Sequence, residues 1–240
     1  TGRPIRVVMT AAVVAVEALV RWQHPSRGLL PPSELVPLAE SSGLAGRLTL
    51  RVLELALAQQ RRWLAAGVDV AMCVNVGAAD LRNPGLADQL AAVAHAHGVP
   101  TRRVQIELTE HALLRDADAA LLVVTRLRGH GFRIALDDFG VGSSSLTYLR
   151  SVRADELKID RAFVTGVVES EVDASIVAAV VELAHMLGRE VTGEGVESAD
   201  QRRLLVELGC DFLQGFWVAR PGRAADIERL LAGSGTAPAA

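Results

Sequence analysis

The chain has little lysine, few aromatic residues and two cysteines, and each shortage narrows the class of protein. Of its 25 basic side chains, a single one, Lys158, is lysine. Aromatic residues make up 4% and the net charge is −3, so the sequence lacks the stacking surface and basic field that binding a nucleic-acid polymer would require. Cys73 and Cys210 have no C-x-x-C spacing, and we interpret both as small buried hydrophobes in a reducing compartment.

One apolar run, residues 7–16, follows Arg3 and Arg6 in the manner of a signal peptide. It is too short to cross a bilayer, and it is followed by Glu17 and a polar loop rather than by a small-residue cleavage site. We interpret it as a buried strand and expect no membrane contact by this segment. Because the chain begins with Thr1 rather than Met, we expect it to be part of a longer protein, with this domain in the cytoplasm.

Apolar runs of strand length alternate with segments of helical periodicity along the chain. The predicted strands cover residues 13–21, 70–76, 104–108, 133–137, 156–159, 190–192 and 211–214, with 5–9 as a candidate eighth. The predicted helices begin at Pro32 or Ser33, with Ser33 as a suitable N-cap, and cover 48–66, 86–97, 117–130, 172–187, 199–208 and 224–231. This alternation predicts an α/β fold, a modified TIM-type (β/α)8 barrel whose first strand is atypical or incomplete. We expect one barrel domain over residues 1–232 and a flexible tail over 233–240.

Nearly every predicted strand ends in a side chain that can bind a metal. These side chains are Glu17, Asn75, Glu107, Asp137, Asp138, Asp160, Glu194 and Gln214. In a barrel the carboxyl ends of the strands meet on one rim, where active sites are built. Carboxylates that converge there repel one another unless cations intervene, and hard oxygen ligands select Mg²⁺, Mn²⁺ or Ca²⁺ over zinc. The adjacent Asp137 and Asp138 would allow a carboxylate to bridge two ions, as two-metal phosphodiester chemistry requires.

Taken singly, these signals have ordinary explanations. An acid at a strand end is commonly a helix cap or a loop residue, and D-D-F-G is compatible with a simple turn. Gly140 and Gly142 suit a phosphate cradle or a common glycine loop. Lys158 is compatible with a solvated surface, although a lysine kept among 24 arginines indicates a need for a compact charge that the arginine fork cannot meet. The prediction of a metal site depends on the repetition of such side chains at the ends of seven strands.

The series resembles the EAL domain family, the bacterial cyclic-di-GMP phosphodiesterases, from about residue 13 to 221. The matching motifs are V-E-A-L-V-R-W-Q-H-P at 16–25, A-E-S-S-G-L at 39–44, V-N-V at 74–76, I-E-L-T-E at 106–110, D-D-F-G-x-G-x-S-S-L at 137–146, L-K-I-D-R-x-F-V at 157–164, G-E-G-V-E at 193–197 and L-G-C-D-x-x-Q-G-F at 208–216. The resemblance implies a modified (β/α)8 barrel that hydrolyses cyclic di-GMP to linear pGpG with two Mg²⁺ or Mn²⁺. It also implies a homodimer and a sensory or GGDEF-type domain upstream.

The same resemblance assigns roles to individual residues. It implies that the metal ligands are Glu17, Asn75, Glu107, Asp137 and Asp138, with Glu194 a further ligand or the general base. Lys158 would hold the attacking water and offset phosphorane charge. Arg21 would contact a phosphate and Gln214 would make a polar site contact. Glu110 would anchor the D-D-F-G loop. Asp160 and Glu197 would contact the metal ligands or this loop rather than the metals themselves.

The chain departs from the family pattern at a few places, and two other functions stay open. Residues 5–15 lack the usual aromatic-Gln-Pro strand that seats a guanine, and Gly77, Val141, Ser143 and Gly193 replace the usual residues. None of these changes removes a charged catalytic group, so we favour the enzyme. The alternatives are a catalytically silent EAL domain that acts as a cyclic-di-GMP receptor or scaffold, and a metal-dependent barrel lyase or aldolase with Lys158 as a Schiff base.

Overall fold

The structure, a computed structural model, describes residues 5–9, 13–141 and 151–234. Part of the predicted glycine loop, including Gly142, and residues 235–240 of the predicted tail lie outside these ranges. Helix α9, described below, continues to Ser234, past the predicted start of that tail.

Eight strands close into a barrel. The described residues form ten strands: β1 Ile5–Met9, β2 Val13–Ala18, β3 Trp22–His24, β4 Gly28–Leu30, β5 Ala71–Asn75, β6 Val104–Thr109, β7 Arg133–Phe139, β8 Glu156–Ile159, β9 Glu190–Glu194 and β10 Phe212–Gln214. The order around the barrel is β1-β10-β9-β8-β7-β6-β5-β2, and β3 and β4 form a separate hairpin. The predicted TIM-type barrel is therefore confirmed, and the β3–β4 hairpin is an addition that the sequence pattern did not predict.

Strand β1 is the departure from the regular (β/α)8 pattern. It runs antiparallel to both of its neighbours, β2 and β10, whereas the other contacts around the barrel are parallel. Three residues separate β1 from β2 in the sequence, and so short a link joins antiparallel strands, because a parallel pair needs a crossover of a dozen residues or more. The candidate eighth strand exists, with its direction reversed.

Helices follow most of the barrel strands. Their bounds are α1 Pro32–Ser41, α2 Ala45–Ala65, α3 Leu86–His97, α4 Glu110–Leu114, α5 Ala117–Gly129, α6 Arg161–Gly166, α7 Glu171–Met186, α8 Ala199–Glu207 and α9 Ala224–Ser234. All seven predicted helices are present, while the short α4 and α6 were not predicted. Ser33 is not the N-cap of α1, because the helix already begins at Pro32, whose ring fixes φ and which lacks the N–H that a cap would satisfy.

The long helix α2 shows how these helices attach to the barrel. Its buried residues include Leu53, Leu57 and Gln60, three to four positions apart, which places them on one face. Gln60 is fully buried, and its Nε2 donates to the carbonyl oxygens of Val70 and Arg103, each at 2.9 Å. This side chain therefore fixes α2 against the starts of two neighbouring strands.

Residues two apart along each barrel strand share a face, and this alternation separates two environments. Apolar residues such as Ile106 and Leu157 belong to the hydrophobic core between strands and helices, where Leu205 of α8 lies 3.1 Å from the position a Cβ would take on Gly193. The opposite face of the strands carries the polar and charged side chains. The barrel therefore places its acids in its interior and at its rim.

Candidate functional site

Lys158 lies at the centre of the acids at the carboxyl ends of the strands. Its Nζ lies 2.8 Å from Glu194 Oε1, 2.9 Å from Glu107 Oε1 and 3.5 Å from Asp137 Oδ1, and its side chain is 1% exposed. The three partners come from β9, β6 and β7, so four strands converge on one ammonium. Lys158 is therefore a buried residue of the site and not a solvated surface lysine.

These carboxylates stabilise the protonated form of Lys158. Burial works against the ammonium, but Glu107, Glu194, Asp137 and Glu17 outweigh it, so the pKa of Lys158 is raised well above its ordinary value. An amine that forms a Schiff base needs a free lone pair, which a protonated, ion-paired ammonium does not offer. This environment disfavours the lyase or aldolase hypothesis.

Glu17 is held by two amides. Its Oε1 accepts a hydrogen bond from Asn75 Nδ2 at 2.7 Å, and its Oε2 accepts one from Gln214 Nε2 at 2.9 Å. Glu17 lies on β2 and Gln214 on β10, the two strands that flank β1. Their hydrogen bond therefore spans the position of β1 and fixes the carboxylate of Glu17 at the rim.

Asp137 and Asp138 are adjacent, yet both reach the site. Consecutive residues of a regular strand point to opposite faces, but the β7–β8 register shifts between Leu136 and Phe139, and Asp138 has a left-handed backbone with φ of 54°. Aspartate tolerates this conformation better than most residues. As a result, carboxylate oxygens of Asp137, Asp138 and Glu194 lie within 4.8 Å of one another, a geometry able to hold a metal ion.

Asp160 forms a hydrogen bond with the side chain of Asp138. The pKa of Asp138 is raised to about 6 by burial, by the neighbouring charge of Asp137 and by a hydrogen bond with Asp160. Asp160 is also the N-cap of α6, where its Oδ1 accepts a hydrogen bond from the backbone N–H of Ala162 at 2.7 Å. The start of a short helix thus places Asp160 beside the cluster.

The charged forms of Glu194 and Glu107 are destabilised by their surroundings. Burial, helped by the charges of Asp137 and Glu17 and opposed by Lys158, raises the pKa of Glu194 to about 8. Burial also raises the pKa of Glu107 well above its ordinary value, and within the described part of the chain neither of its carboxylate oxygens accepts a well-aligned hydrogen bond. Buried carboxylates without enough donors are costly, and a divalent cation with oxygen ligands relieves that cost. The residues present therefore fit a hard divalent metal.

Glycine is required where β9 and β10 end. Gly215 follows Gln214, and a Cβ added to it would lie 2.1 Å from the carbonyl oxygen of Val196. The Val196 N–H donates to the Gln214 carbonyl at 3.0 Å, and the Trp217 N–H donates to the Val196 carbonyl at 2.9 Å. This close backbone pairing sets the spacing between Glu194 and Gln214.

Three residues named in the sequence analysis are placed less directly. Nη1 of Arg21 donates to the adjacent Val20 carbonyl at 2.7 Å. Glu110 is buried, its carboxylate has no hydrogen-bond partner among the described residues, and most of the loop that it was predicted to anchor lies outside them. Glu197 is exposed, and its backbone N–H donates to Gln201 Oε1 at 2.7 Å. No ion pair or hydrogen bond of its side chain with the cluster is found in the described ranges.

A second polar layer lies below the rim and was not predicted. Glu156 accepts hydrogen bonds from Gln105 Nε2 at 2.8 Å and from Thr192 Oγ1 at 2.5 Å, and burial raises its pKa. Each of these residues stands two positions before a rim residue on the same strand. Because residues two apart on a strand share a face, counting two positions back from Lys158 and Glu194 would have identified this layer in the sequence.

The fold and the site together define a TIM-type barrel protein whose acidic rim surrounds one buried lysine. The chain belongs to the EAL domain family, which matches residues 3–221. No helix in the described part of the chain has both the length and the apolar character needed to span a bilayer.

Several known proteins are similar over nearly the whole chain. The bifunctional diguanylate cyclase/cyclic di-GMP phosphodiesterase MucR of Pseudomonas aeruginosa is 41% identical over 221 residues, which are 92% of this chain and 32% of that protein. The cyclic di-GMP phosphodiesterase PA2567 of the same species is 37% identical over 91% of this chain and 37% of its own length. The chain thus spans about a third of the length of these relatives.

Two solved structures are similar as well. The PaMucR phosphodiesterase in complex with c-di-GMP has a TM-score of 0.88 and 38% identity, covering 94% of this chain and 93% of that one. The EAL domain of Mycobacterium smegmatis DcpA has a TM-score of 0.83 and 32% identity, covering 98% of this chain and 99% of that one.

Proposed function

We propose that the chain is a metal-dependent cyclic-di-GMP phosphodiesterase that hydrolyses the cyclic dinucleotide to linear pGpG. The observation that carries the proposal is the set of carboxylates gathered around the buried ammonium of Lys158 at the carboxyl ends of the strands. The names of MucR and PA2567 as cyclic di-GMP phosphodiesterases and the c-di-GMP complex of PaMucR support it.

The metal site would hold two Mg²⁺ or two Mn²⁺. The ligands that we propose are Glu17, Asn75, Glu107, Asp137, Asp138 and Glu194. When bound, two such cations neutralise the phosphodiester, lower the pKa of a bound water and stabilise the leaving oxygen. The oxygen-only donor set and the raised pKa values of Glu107, Asp138 and Glu194 support hard cations in this place.

The protein groups divide the remaining work. Lys158 presents a compact ammonium, so it orients the attacking water and offsets charge on the phosphorus without filling the pocket. Glu194, whose Oε1 lies 2.8 Å from Lys158 Nζ, would act as a further metal ligand or as the general base that accepts a proton. Gln214 holds Glu17 in position, and Arg21, next to the rim, contacts a substrate phosphate after its guanidinium leaves the Val20 carbonyl.

The setting of the domain is part of the proposal. We propose that it works in the cytoplasm as a homodimer, within a longer protein that carries a sensory or GGDEF-type domain upstream. The share of MucR that the chain covers, and the cyclase activity in the name of MucR, support a longer protein. The loop near which the family dimerises lies largely outside the described residues.

The test is hydrolysis of cyclic di-GMP, read as pGpG, with Mg²⁺ or Mn²⁺ and with Glu17→Ala as the blank. Loss of a ligand that helps to place the metals removes several kcal/mol of charge stabilisation, so we expect at least about a hundredfold loss of rate. Glu182→Ala is the matched control, because Glu182 is exposed on α7 away from the rim, and it should retain the full rate.

Each outcome distinguishes the hypotheses. Product that disappears in Glu17→Ala and persists in Glu182→Ala supports the enzyme. Folded wild-type protein that binds cyclic di-GMP without turnover would instead support the receptor or scaffold. A wild-type protein that neither binds nor hydrolyses it contradicts the proposal for this segment.

A further inference from the structure

The end of the barrel opposite the acidic rim contains a cavity of about 580 Å³ lined by four arginines. Arg133 is the first residue of β7, and the site residue Asp137 lies four positions later on the same strand. Four residues of a β-strand span about 13 Å. Arg128 comes from the last turn of α5, and Arg153 and Arg189 precede β8 and β9. The cavity is therefore separate from the rim.

The lining carries an excess of positive charge. Two carboxylates, Asp155 and Glu190, face the four guanidinium groups. Arg128 Nη1 lies 2.7 Å from Asp155 Oδ2, and Arg133 forms an ion pair with Glu190. The formal balance of these six side chains is +2, and a concave surface with one sign of charge concentrates counter-ions.

Three of the four arginines have partners within the fold: Arg133 pairs with Glu190, and Arg128 and Arg189 make the contacts that follow. Arg189 is buried and its Nη2 donates to the Val152 carbonyl at 2.8 Å. Asp155, the partner of Arg128, accepts the Ile134 N–H at 2.8 Å. Arg153 differs from these three, because its side chain is exposed and no ion pair or hydrogen bond of that side chain is found among the described residues.

From this geometry we infer that the cavity is a binding site for a small phosphate-bearing anion, separate from the acidic rim. Planar guanidinium forks match phosphate oxygens in a bidentate manner, and Arg153 offers an unpaired fork on the same concave surface as the ion-paired Arg133. The volume is within the range of small-molecule sites, and the lining supplies charge rather than the apolar surface that most ligands require. The inference does not depend on the proposed phosphodiesterase activity.

The experiment is a calorimetric titration of inorganic pyrophosphate into the protein in EDTA at constant ionic strength. Without divalent cations the acidic rim repels anions, so binding reports the arginine cavity. Arg153→Gln should weaken binding at least about tenfold through loss of a charge-assisted hydrogen bond. Arg62→Gln is the matched control, because Arg62 is exposed in the last turn of α2 outside the cavity lining, and its effect should stay below about twofold.

A second measurement uses the wild-type protein, so it does not depend on how a variant folds. Pyrophosphate should protect Arg153, but not Arg62, from labelling by phenylglyoxal in a peptide mass analysis. A parallel titration with GTP distinguishes the source of the phosphate, since tighter binding than pyrophosphate assigns a nucleotide and equal or weaker binding assigns a simple phosphate anion.

Three results would overturn the inference. These are the absence of saturable binding at millimolar pyrophosphate, equal weakening by Arg153→Gln and Arg62→Gln, and equal protection of both arginines from the label.

Discussion

The two ends of the barrel handle charge in opposite ways. At the rim, three carboxylates lie within 3.5 Å of one ammonium, and the Lys158 and Glu107 side chains are 1% and 0% exposed. At the other end, charges are mostly paired with opposites, and Arg133 and Glu190 are 40% and 43% exposed. Water screens the charges of the exposed pairs, whereas the buried charges of Lys158 and Glu107 are not screened by water. The rim, where chemistry is proposed, thus carries the more costly arrangement.

Removal of the ammonium is the strongest way to test this contrast. Lys158→Met leaves the buried Glu107 and Glu194 and the half-buried Asp137 without their cation, and breaking a buried ionic group in this way costs about 3–5 kcal/mol. We expect that loss in urea unfolding measured in EDTA. Lys158→Arg keeps the charge and should remain folded, but its larger fork should displace the attacking water and abolish hydrolysis. Wild-type rates in Lys158→Arg would refute the argument from the lone lysine.

The pH dependence of stability should differ between the two ends. The pKa of Glu194 in the folded chain, about 8, lies above the ordinary value of 4.5, so the folded state holds its proton more tightly than the unfolded state. That stabilisation is complete below the unfolded value and is lost as the pH rises through about 8. The raised pKa values of Glu107 and Asp138 act in the same direction.

The measurement is the melting temperature of the metal-free protein at pH 6 and at pH 8.5. It should fall on going to the higher pH, by about 2–4 °C for each kcal/mol lost. Glu194→Gln should reduce the fall, and Glu182→Gln, on the surface of α7, should leave it unchanged. A melting temperature that rises with pH in EDTA would mean that these carboxylates are not desolvated in the way described.

The smallest effect is expected at the opposite end. Glu190→Gln removes the partner of Arg133, but because the pair is well exposed the loss of unfolding free energy should be less than about 1 kcal/mol. Cyclic-di-GMP hydrolysis should not change. A loss as large as that in Lys158→Met would show that the two ends are not electrostatically distinct.

Most of the barrel could be predicted because its strands and helices are local patterns. Residues 86–97 and 156–159 were predicted with the bounds that the structure has for α3 and β8. The reversed direction of β1 follows from its three-residue link to β2, but its pairing with β10 at the far end of the chain is contained in no window of sequence. The short helices α4 and α6 carry too few residues for a periodicity to be read.

The site was predictable as a set of side chains but not as an arrangement. The spacing of the acids indicated that they meet on one rim. It did not indicate that Asn75 and Gln214 hold Glu17, because that hydrogen bonding depends on rotamers and on the seam beside β1. The bulge that brings Asp138 beside Asp137 follows from a left-handed backbone that the letters D-D alone do not specify.

The position of β1 also sets an order for folding. Val8 pairs with Ala15, seven positions along the chain, and with Gln214, more than two hundred positions away. The first contact closes within a local hairpin, whereas the second requires the two ends of the chain to meet, and contacts of such long separation form slowly. The hydrogen bond between Glu17 and Gln214 spans this same seam, so the carboxylate at the rim is fixed only when the barrel closes. We therefore expect a burst of hairpin and helix formation, followed by a slower phase in which closure and the completed site appear together.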